Sequence, residues 1–445
     1  MNEGIDSSVE GWVFRDAGVV WHGFTQMASY ADNEPLIVES AEGRELIDVK
    51  GRRYLDAISS LWVNTLGHRV TELDEALVDQ VRKVAHSTML GNGNTTVVEL
   101  AEALARVVPV DSARFLFASD GAVAVEQAMK IAFQYWVNRE MKDRRMFLTL
   151  GGAYHGDTIG SLSLGDGGFY TGIFDALKFP VRRTPGYDDP DWASKAVELV
   201  HGESETLAGV IVEPLVQGAA GMLCAEQGDV HALYEACKET DTLLICDEVA
   251  TGFGRTGSLF ASDQCGIRPD LMCLGKGITG GYLPMSVTVA SRRVFDEFLG
   301  DDLGPRTFFH GHSYGGNALA AAVALRHLQL VGEWNVLDNV ARRAEQLSDL
   351  LHDRFAQSVV VREIRQHGLM VGVVLDSPDP DLRWGRKVCA GAVRRGVLLR
   401  PLGDVVVLMP PLTITESEVE RIVDALCASV EEVCTVRPNT SSRKD

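Results

Sequence analysis

The 445 residues are too many for one compact core, because single cores stop growing at about 250–300 residues; two domains, or one large and one discontinuous small domain, are expected. A content of 46% hydrophobic and 23% charged residues, with a mean hydropathy of +0.02, excludes disordered and fibrous classes. The net charge of −20 excludes a sequence-independent grip on nucleic acid or on an anionic membrane, since either needs a basic surface.

The first residues, MNEGIDSSVEGWVF, are acidic and lack the cationic start and apolar run of a secretory signal. No stretch reaches the roughly 18 uninterrupted apolar residues of a membrane span. Eight cysteines lie scattered without a CxxC pair, which fits a reducing compartment, so a cytoplasmic protein is expected. Residues 36–57 read as β-hairpin material with turn signals at Glu42-Gly43 and Lys50-Gly51.

Further along, short apolar runs alternate with helix-length amphipathic stretches, the pattern of βαβ units. The runs 114–118, 146–150, 207–213, 243–247, 271–274 and 285–290 show no polar alternation. Strands covered on both faces read this way, and a mostly parallel central sheet follows. Helices are expected over 122–139, 191–201, 228–239 and 316–330. The last third changes character: 359–365, 369–375, 397–400 and 405–409 read as strands of a separate, mixed sheet, 416–433 as a closing helix and 438–445 as a polar tail.

Several of these strand ends carry chemistry. FASDGAVAVEQAMKIA (117–132) is strand, turn and helix with Gly121 at the turn, and amides at a helix N-terminus bind phosphate. GGAYHGDT (151–158) offers Tyr154 or His155 to stack on a planar ring. IVEPLVQG (211–218) ends a strand on Glu213. LLICDEVATGFGRTG (243–257) ends one on Asp247, where a carboxylate can keep a heteroaromatic nitrogen protonated; Glu248 would face the other side. CLGKGITGGYLP (273–284) puts Lys276 between glycines directly after a buried strand, where a desolvated amine can attack an aldehyde. A nucleotide P-loop is excluded, because Asp270 and Gly277 stand where GxxxxGK[ST] requires Gly and Ser or Thr. Each piece alone has a structural explanation, such as a helix cap, a core aromatic or a solvated loop lysine. Gly, aromatic, Glu, Asp and Lys on one edge of a parallel sheet are together the parts of a pyridoxal site.

With these motifs the chain resembles the class III, fold-type I aminotransferases from about Trp21 onward, chiefly through DEVATGFGRTG followed at this spacing by GKGITGG. SSLWVNTLGH (59–68), FQYW (133–136), YHGDT (154–158), VEPLVQGAAGM (212–222), HGHSYGGNALA (310–320) and LLRPLGDVVVLMPP (398–411) narrow the resemblance to the branch that works in biotin synthesis. The resemblance implies an α/β fold with a large domain over 69–324, holding the mostly parallel sheet, and a smaller α+β domain assembled from 1–68 and 325–445. It implies pyridoxal 5′-phosphate bound as a Schiff base on Lys276, paired at its ring nitrogen with Asp247 and stacked by Tyr154, with Glu213 close by. Gly121 and the amide of Ala122 would hold the phosphate. Ser313 would reach the phosphate in a neighbouring subunit, which makes the expected assembly a homodimer. Trp62, Phe24 and Gly311 would line the substrate pocket, and Arg400 would clamp a carboxylate, as a guanidinium fork suits.

The expected reaction is transamination of 8-amino-7-oxononanoate to 7,8-diaminononanoate. Of three departures from the branch pattern, Ala122 after Gly121 removes a hydroxyl donor at the phosphate turn and lowers the expected cofactor affinity, whereas Leu61 before Trp62 and Phe24 in place of Tyr leave the donor open between S-adenosylmethionine, lysine and another amine. An ω-amine:pyruvate or diamine transaminase and an inactive binding relative are the alternatives. No metal is expected, since His310 and His312 have no third ligand at metal-site spacing, and no GxGxxG follows a strand to support a dehydrogenase.

Overall fold

The computed structural model describes residues 8–166 and 171–435; the polar tail expected over 438–445 lies outside the described residues. The hairpin region is an antiparallel meander of β1 (Val38–Glu42), β2 (Glu45–Asp48) and β3 (Arg53–Asp56). Its turns place Gly43 and Gly51 at φ 59° and 77°, a region that glycine enters without steric cost.

The central sheet uses β4 (Arg114–Ala118), β5 (Met146–Leu150), β6 (Arg182–Thr184) and β7 (Leu207–Val212). After a short hairpin of β8 (Val216–Gln217) and β9 (Leu223–Cys224) come β10 (Leu244–Asp247), β11 (Leu271–Leu274) and β12 (Ser286–Ala290). The spatial order is β4-β12-β11-β10-β7-β5-β6. Only β12 runs against the others. Every residue of β7, β10, β11 and β12 is buried, as the unalternating apolar runs require of strands covered on both faces. One cover is the Gly121–Asn138 helix, which buries Ala124, Val125, Ala128, Ile131 and Ala132. Trp136 on the same helix donates from Nε1 to the Ala208 carbonyl of β7 at 2.7 Å.

The parallel strands end along one edge, so the residues that follow β4, β5, β7, β10 and β11 converge there. Because β12 is reversed, its start, beside Met285, meets the same edge.

The last third contains β13 (Val361–His367), β14 (Met370–Leu375), β15 (Val397–Leu398), β16 (Arg400–Leu402) and β17 (Val405–Leu408). The expected mixed sheet is corrected: β13-β14-β17-β16 is antiparallel throughout. The run 397–400 divides at buried Leu399, and β15 leaves to pair in parallel with β3, Val397 opposite Leu55. Pro401, which has no N–H to donate, sits on the edge strand β16, where a proline is tolerated. The parallel pairing thus joins the two ends of the chain. Buried Leu55, Ala57 and Leu66 share one apolar cluster with Val371, Val406, Leu412 and Leu426.

Candidate active site

A cavity of about 740 Å³ opens at the shared strand edge, lined among others by Trp62, Gly121, Tyr154, Glu213, Asp247 and Lys276. Lys276 follows β11 through the extended Gly275 and opens a short 3₁₀ turn to Thr279. Its φ of 41° is left-handed, a strain of about 1–3 kcal/mol that persists at functional sites when the surroundings impose it. Burial pushes its pKa down from 10.5 to about 8, against the pull of the Asp247 and Glu213 carboxylates. The amine lies 4.6 Å from the centre of the Trp62 ring.

Asp247 closes β10 with its carboxylate fixed from two sides. Val249 N donates to Oδ1 at 3.0 Å, and His155 Nδ1 lies 2.7 Å from Oδ2. A carboxylate only accepts, so His155 carries its proton on Nδ1, and its buried Nε2 has no protein partner. Glu248 faces the opposite side, as expected from strand alternation, and accepts from Ala261 N, Ser262 N and Thr251 Oγ1. Glu213 accepts from Tyr154 N at 3.0 Å and Gly218 N at 3.3 Å; burial pushes its pKa up to about 7. The Tyr154 hydroxyl donates to Asp157 Oδ2 at 3.0 Å.

At the end of β4, Asp120 caps the Gly121–Asn138 helix by accepting from Val123 N at 3.1 Å. The Gly121 and Ala122 amides precede the first intrahelical bond and remain for a ligand. A Cβ on Gly121 would stand 2.6 Å from Val249 Cγ1, so this turn closes onto the loop after Asp247. Gly121→Ala is expected to lower stability by about 1–3 kcal/mol through overpacking and to weaken cofactor retention; denaturant melts of both proteins and a cofactor titration check it.

Trp62 comes from a turn, Ser59–Trp62, where Ser59, Ser60 and Trp62 all have positive φ (53°, 61° and 65°). Asp56 secures that turn, its two carboxylate oxygens accepting from Ser60 N at 2.9 and 2.8 Å. The buried Trp62 Nε1 has no protein acceptor.

Of the residues singled out in the sequence, Lys276, Asp247, Glu213, Tyr154, Gly121, Ala122 and Trp62 come together in the cavity, with Leu61 beside them. Phe24, Gly311, Ser313 and Arg400 are not among the cavity-lining residues of the single chain. Phe24 is 64% exposed, Ser313 accepts through its carbonyl from His86 Nε2 at 2.7 Å, and Arg400 lies on β16 opposite Val407. Sequence reasoning offered His155 as a ring-stacking residue and missed its bond to Asp247, because the two stand 92 positions apart. Both Tyr154 and His155 line the cavity, and nothing local to the sequence marked which of them would reach Asp247.

These groups fit pyridoxal phosphate: a buried amine with a lowered pKa, a carboxylate fixed at a strand end, unpaired helix amides behind a glycine with no room for a Cβ, and an aromatic face. A family model described as aminotransferase class-III matches residues 26–430. The curated adenosylmethionine-8-amino-7-oxononanoate aminotransferase of Nitratidesulfovibrio vulgaris is 44% identical over 437 residues, covering 93% of this chain and 80% of that protein. That of Aquifex aeolicus is 41% identical, covering 96% and 98%. Among solved structures, adenosylmethionine-8-amino-7-oxononanoate aminotransferase from Methanocaldococcus jannaschii superimposes with a TM-score of 0.91 at 36% identity, covering 95% and 98%. A PLP-bound amine transaminase from an uncultivated Pseudomonas species gives 0.88 at 32%, covering 93% and 98%.

Proposed function

The chain belongs to the class-III aminotransferases, and from that premise we propose that this pyridoxal-phosphate-dependent enzyme aminates 8-amino-7-oxononanoate to 7,8-diaminononanoate, with S-adenosylmethionine or lysine as donor. The observation that carries the chemistry is the buried Lys276 amine facing the Asp247 carboxylate across one cavity. The substrate is supported by likeness to relatives that carry the name of this reaction along nearly their whole length.

When bound, pyridoxal phosphate supplies an aldehyde that condenses with amines and a protonated pyridine ring that draws electrons from the substrate carbon. Lys276 would hold that group covalently, and its Nζ would be the general base and acid that takes up and returns the proton of the substrate carbon. Asp247 would keep the ring nitrogen protonated, and His155 and the Val249 amide keep its carboxylate in place. The amides of Gly121 and Ala122 would hold the phosphate, and Tyr154 would stack on the ring. Trp62 bounds the substrate space beside the amine, and its unpartnered indole N–H is available to a substrate acceptor. Arg400 remains the proposed carboxylate clamp, and Phe24 and Gly311 the proposed outer pocket.

Reattachment of cofactor to the apoprotein needs neutral Lys276. Its rate, read as growth of the visible band, is therefore expected to rise with pH to a midpoint of about 8 and then level off. The stability sign agrees. With the folded pKa lowered, the unfolded chain binds the extra proton between about 8 and 10.5, so this group's cost to apoprotein stability shrinks as pH rises through that window.

We also propose a cytoplasmic homodimer, in which Ser313 serves the neighbouring site. Exposed Leu90, Phe309 and Tyr314 support it: a Cβ on Gly311 would touch Leu90, and the Tyr314 ring lies 5.1 Å from that of His86, so these residues form one apolar face. Light scattering is expected to give twice the chain mass. The division into 1–68, 69–324 and 325–445 is likewise our proposal, supported by the β3–β15 pairing. Mass-detected formation of 7,8-diaminononanoate by the purified enzyme tests the substrate; turnover of simple amines with pyruvate but none of the keto-amino acid would overturn it in favour of an amine:pyruvate transaminase.

A further inference from the structure

The Ala318–Glu333 helix buries Ala320, Val323, Ala324, His327, Leu330 and Val331, one stripe at helical spacing. His327 is the only polar residue that this helix buries, and it is 0% exposed. A polar ring in an apolar stripe costs free energy unless it is hydrogen-bonded, so its position calls for an explanation. Its Nε2 lies 2.6 Å from Thr65 Oγ1, and Thr65 stands three residues after Trp62. Its Nδ1 has no hydrogen-bond partner among the described residues, which leaves Thr65 as the anchor of the ring. Burial pushes the His327 pKa down to about 4, against the pull of the Ile278 backbone, so the imidazole is neutral.

Ring and hydroxyl meet at the turn that carries Lys276. The helix packs against the Lys276–Thr279 turn. A Cβ on Gly280, which sits at φ 63°, would stand 3.1 Å from His327 Cδ2 and 3.4 Å from Thr65 Oγ1; one on Gly277 would stand 3.2 Å from Thr65 Cγ2. The Phe253 ring meets the imidazole edge-on, with centres 6.0 Å apart. Thr65 is itself held through its carbonyl, which accepts from Leu412 N at 2.7 Å.

We propose that His327 is a positioning residue for transamination, a neutral wedge whose bond to Thr65 fixes the spacing between the Lys276 turn and the Trp62 turn, and with it the place of Nζ in the cavity. The proposal rests on the transaminase reading of the cavity. Apolar packing alone is non-directional and leaves that spacing loose. A buried hydrogen bond between side chains 262 positions apart is directional and sets it. Because the ring is uncharged, it does so without adding a cation beside an amine that must itself lose a proton.

The test compares the full-length parent with His327→Leu, His327→Gln, Thr65→Val and the double variant of His327→Leu with Thr65→Val. Each single apolar change leaves a buried polar atom without its partner, so hydrogen exchange over residues 276–281 is expected to quicken roughly 5- to 150-fold. Their kcat is expected to fall about 10- to 100-fold, the scale of a displacement by up to an ångström, with donor KM little changed. A looser turn admits water to Lys276, so the pH midpoint of cofactor reattachment to the apoprotein moves upward from about 8. His327→Gln can still bond Thr65 and is expected to recover most of both losses. The double variant leaves neither polar partner behind, so its melting temperature is expected to return toward the parent's, while kcat and midpoint stay at the level of the single apolar variants. A purely structural role would restore kcat and midpoint together with the melt; that result overturns the proposal, as does parental kcat in His327→Leu or failure of both His327 variants to fold. If the parent turns over another substrate, the 8-amino-7-oxononanoate assignment falls while the exchange and midpoint comparisons still decide the role of His327.

Discussion

Lys276→Ala is expected to yield a folded protein without the covalent visible band and with turnover reduced by at least roughly 10²–10⁴-fold, the contribution of a positioned general base. The substitution removes the covalent hold on the cofactor and the group that shuttles the proton, and no other amine among the cavity-lining residues stands ready to replace it. Folding should survive, because a buried amine whose pKa is lowered from 10.5 to about 8 is a net cost to the apoprotein at neutral pH. Single-turnover kinetics with added pyridoxal phosphate and a thermal melt of each apoprotein provide the measurements. Parental turnover in the variant would remove Lys276 from the mechanism.

For Asp247→Asn, the expected loss is roughly 30- to 4,000-fold in kcat/KM, which follows from about 2–5 kcal/mol for breaking a buried charge pair at 1.4 kcal/mol per decade. The amide has nearly the shape of the carboxylate but no charge to hold a pyridinium proton. It also meets His155, whose Nδ1–H now faces an amide that can turn either its oxygen or its NH₂ toward it. His155→Phe should fall between parent and Asp247→Asn, since it leaves the charge and removes only its support. Steady-state rates of the three proteins settle the order; a His155→Phe loss equal to that of Asp247→Asn would make the imidazole a principal rather than a supporting group.

What could be read from the sequence was whatever the chain writes locally. Unalternating apolar runs located all but β6 of the central strands, and parallel strands deliver their ends to one edge, so Asp247, Glu213, Gly121 and Lys276 could be assembled before any coordinates. Contacts across long separations were not legible. The His155–Asp247 pair and the bonds of Arg255 to the Pro410 and Asn64 carbonyls join residues 92, 155 and 191 positions apart, and none of these side chains differs locally from an ordinary core or loop residue. The C-terminal sheet was misjudged for a related reason: 397–400 reads as one strand, yet buried Leu399 divides it between two sheets, and only the distant β3 reveals why. Phe24, Gly311, Ser313 and Arg400 were named from resemblance, and the cavity of one chain does not gather them.

The pairing of β3 with β15 also bears on how the molecule is made. The seam beside it joins Ser59 to Met409, 350 positions apart. At a synthesis rate of about 5–20 residues per second, the ribosome needs roughly 20–70 s to supply the second half of that seam. Throughout that interval the open flank of β3, with Leu55 and Ala57 behind it, has no lasting neighbour. A nascent chain of this design is most vulnerable to wrong strand partners before β15, about one ninth from its end, emerges, and the expression yield of truncated forms should fall abruptly once β15 is lost.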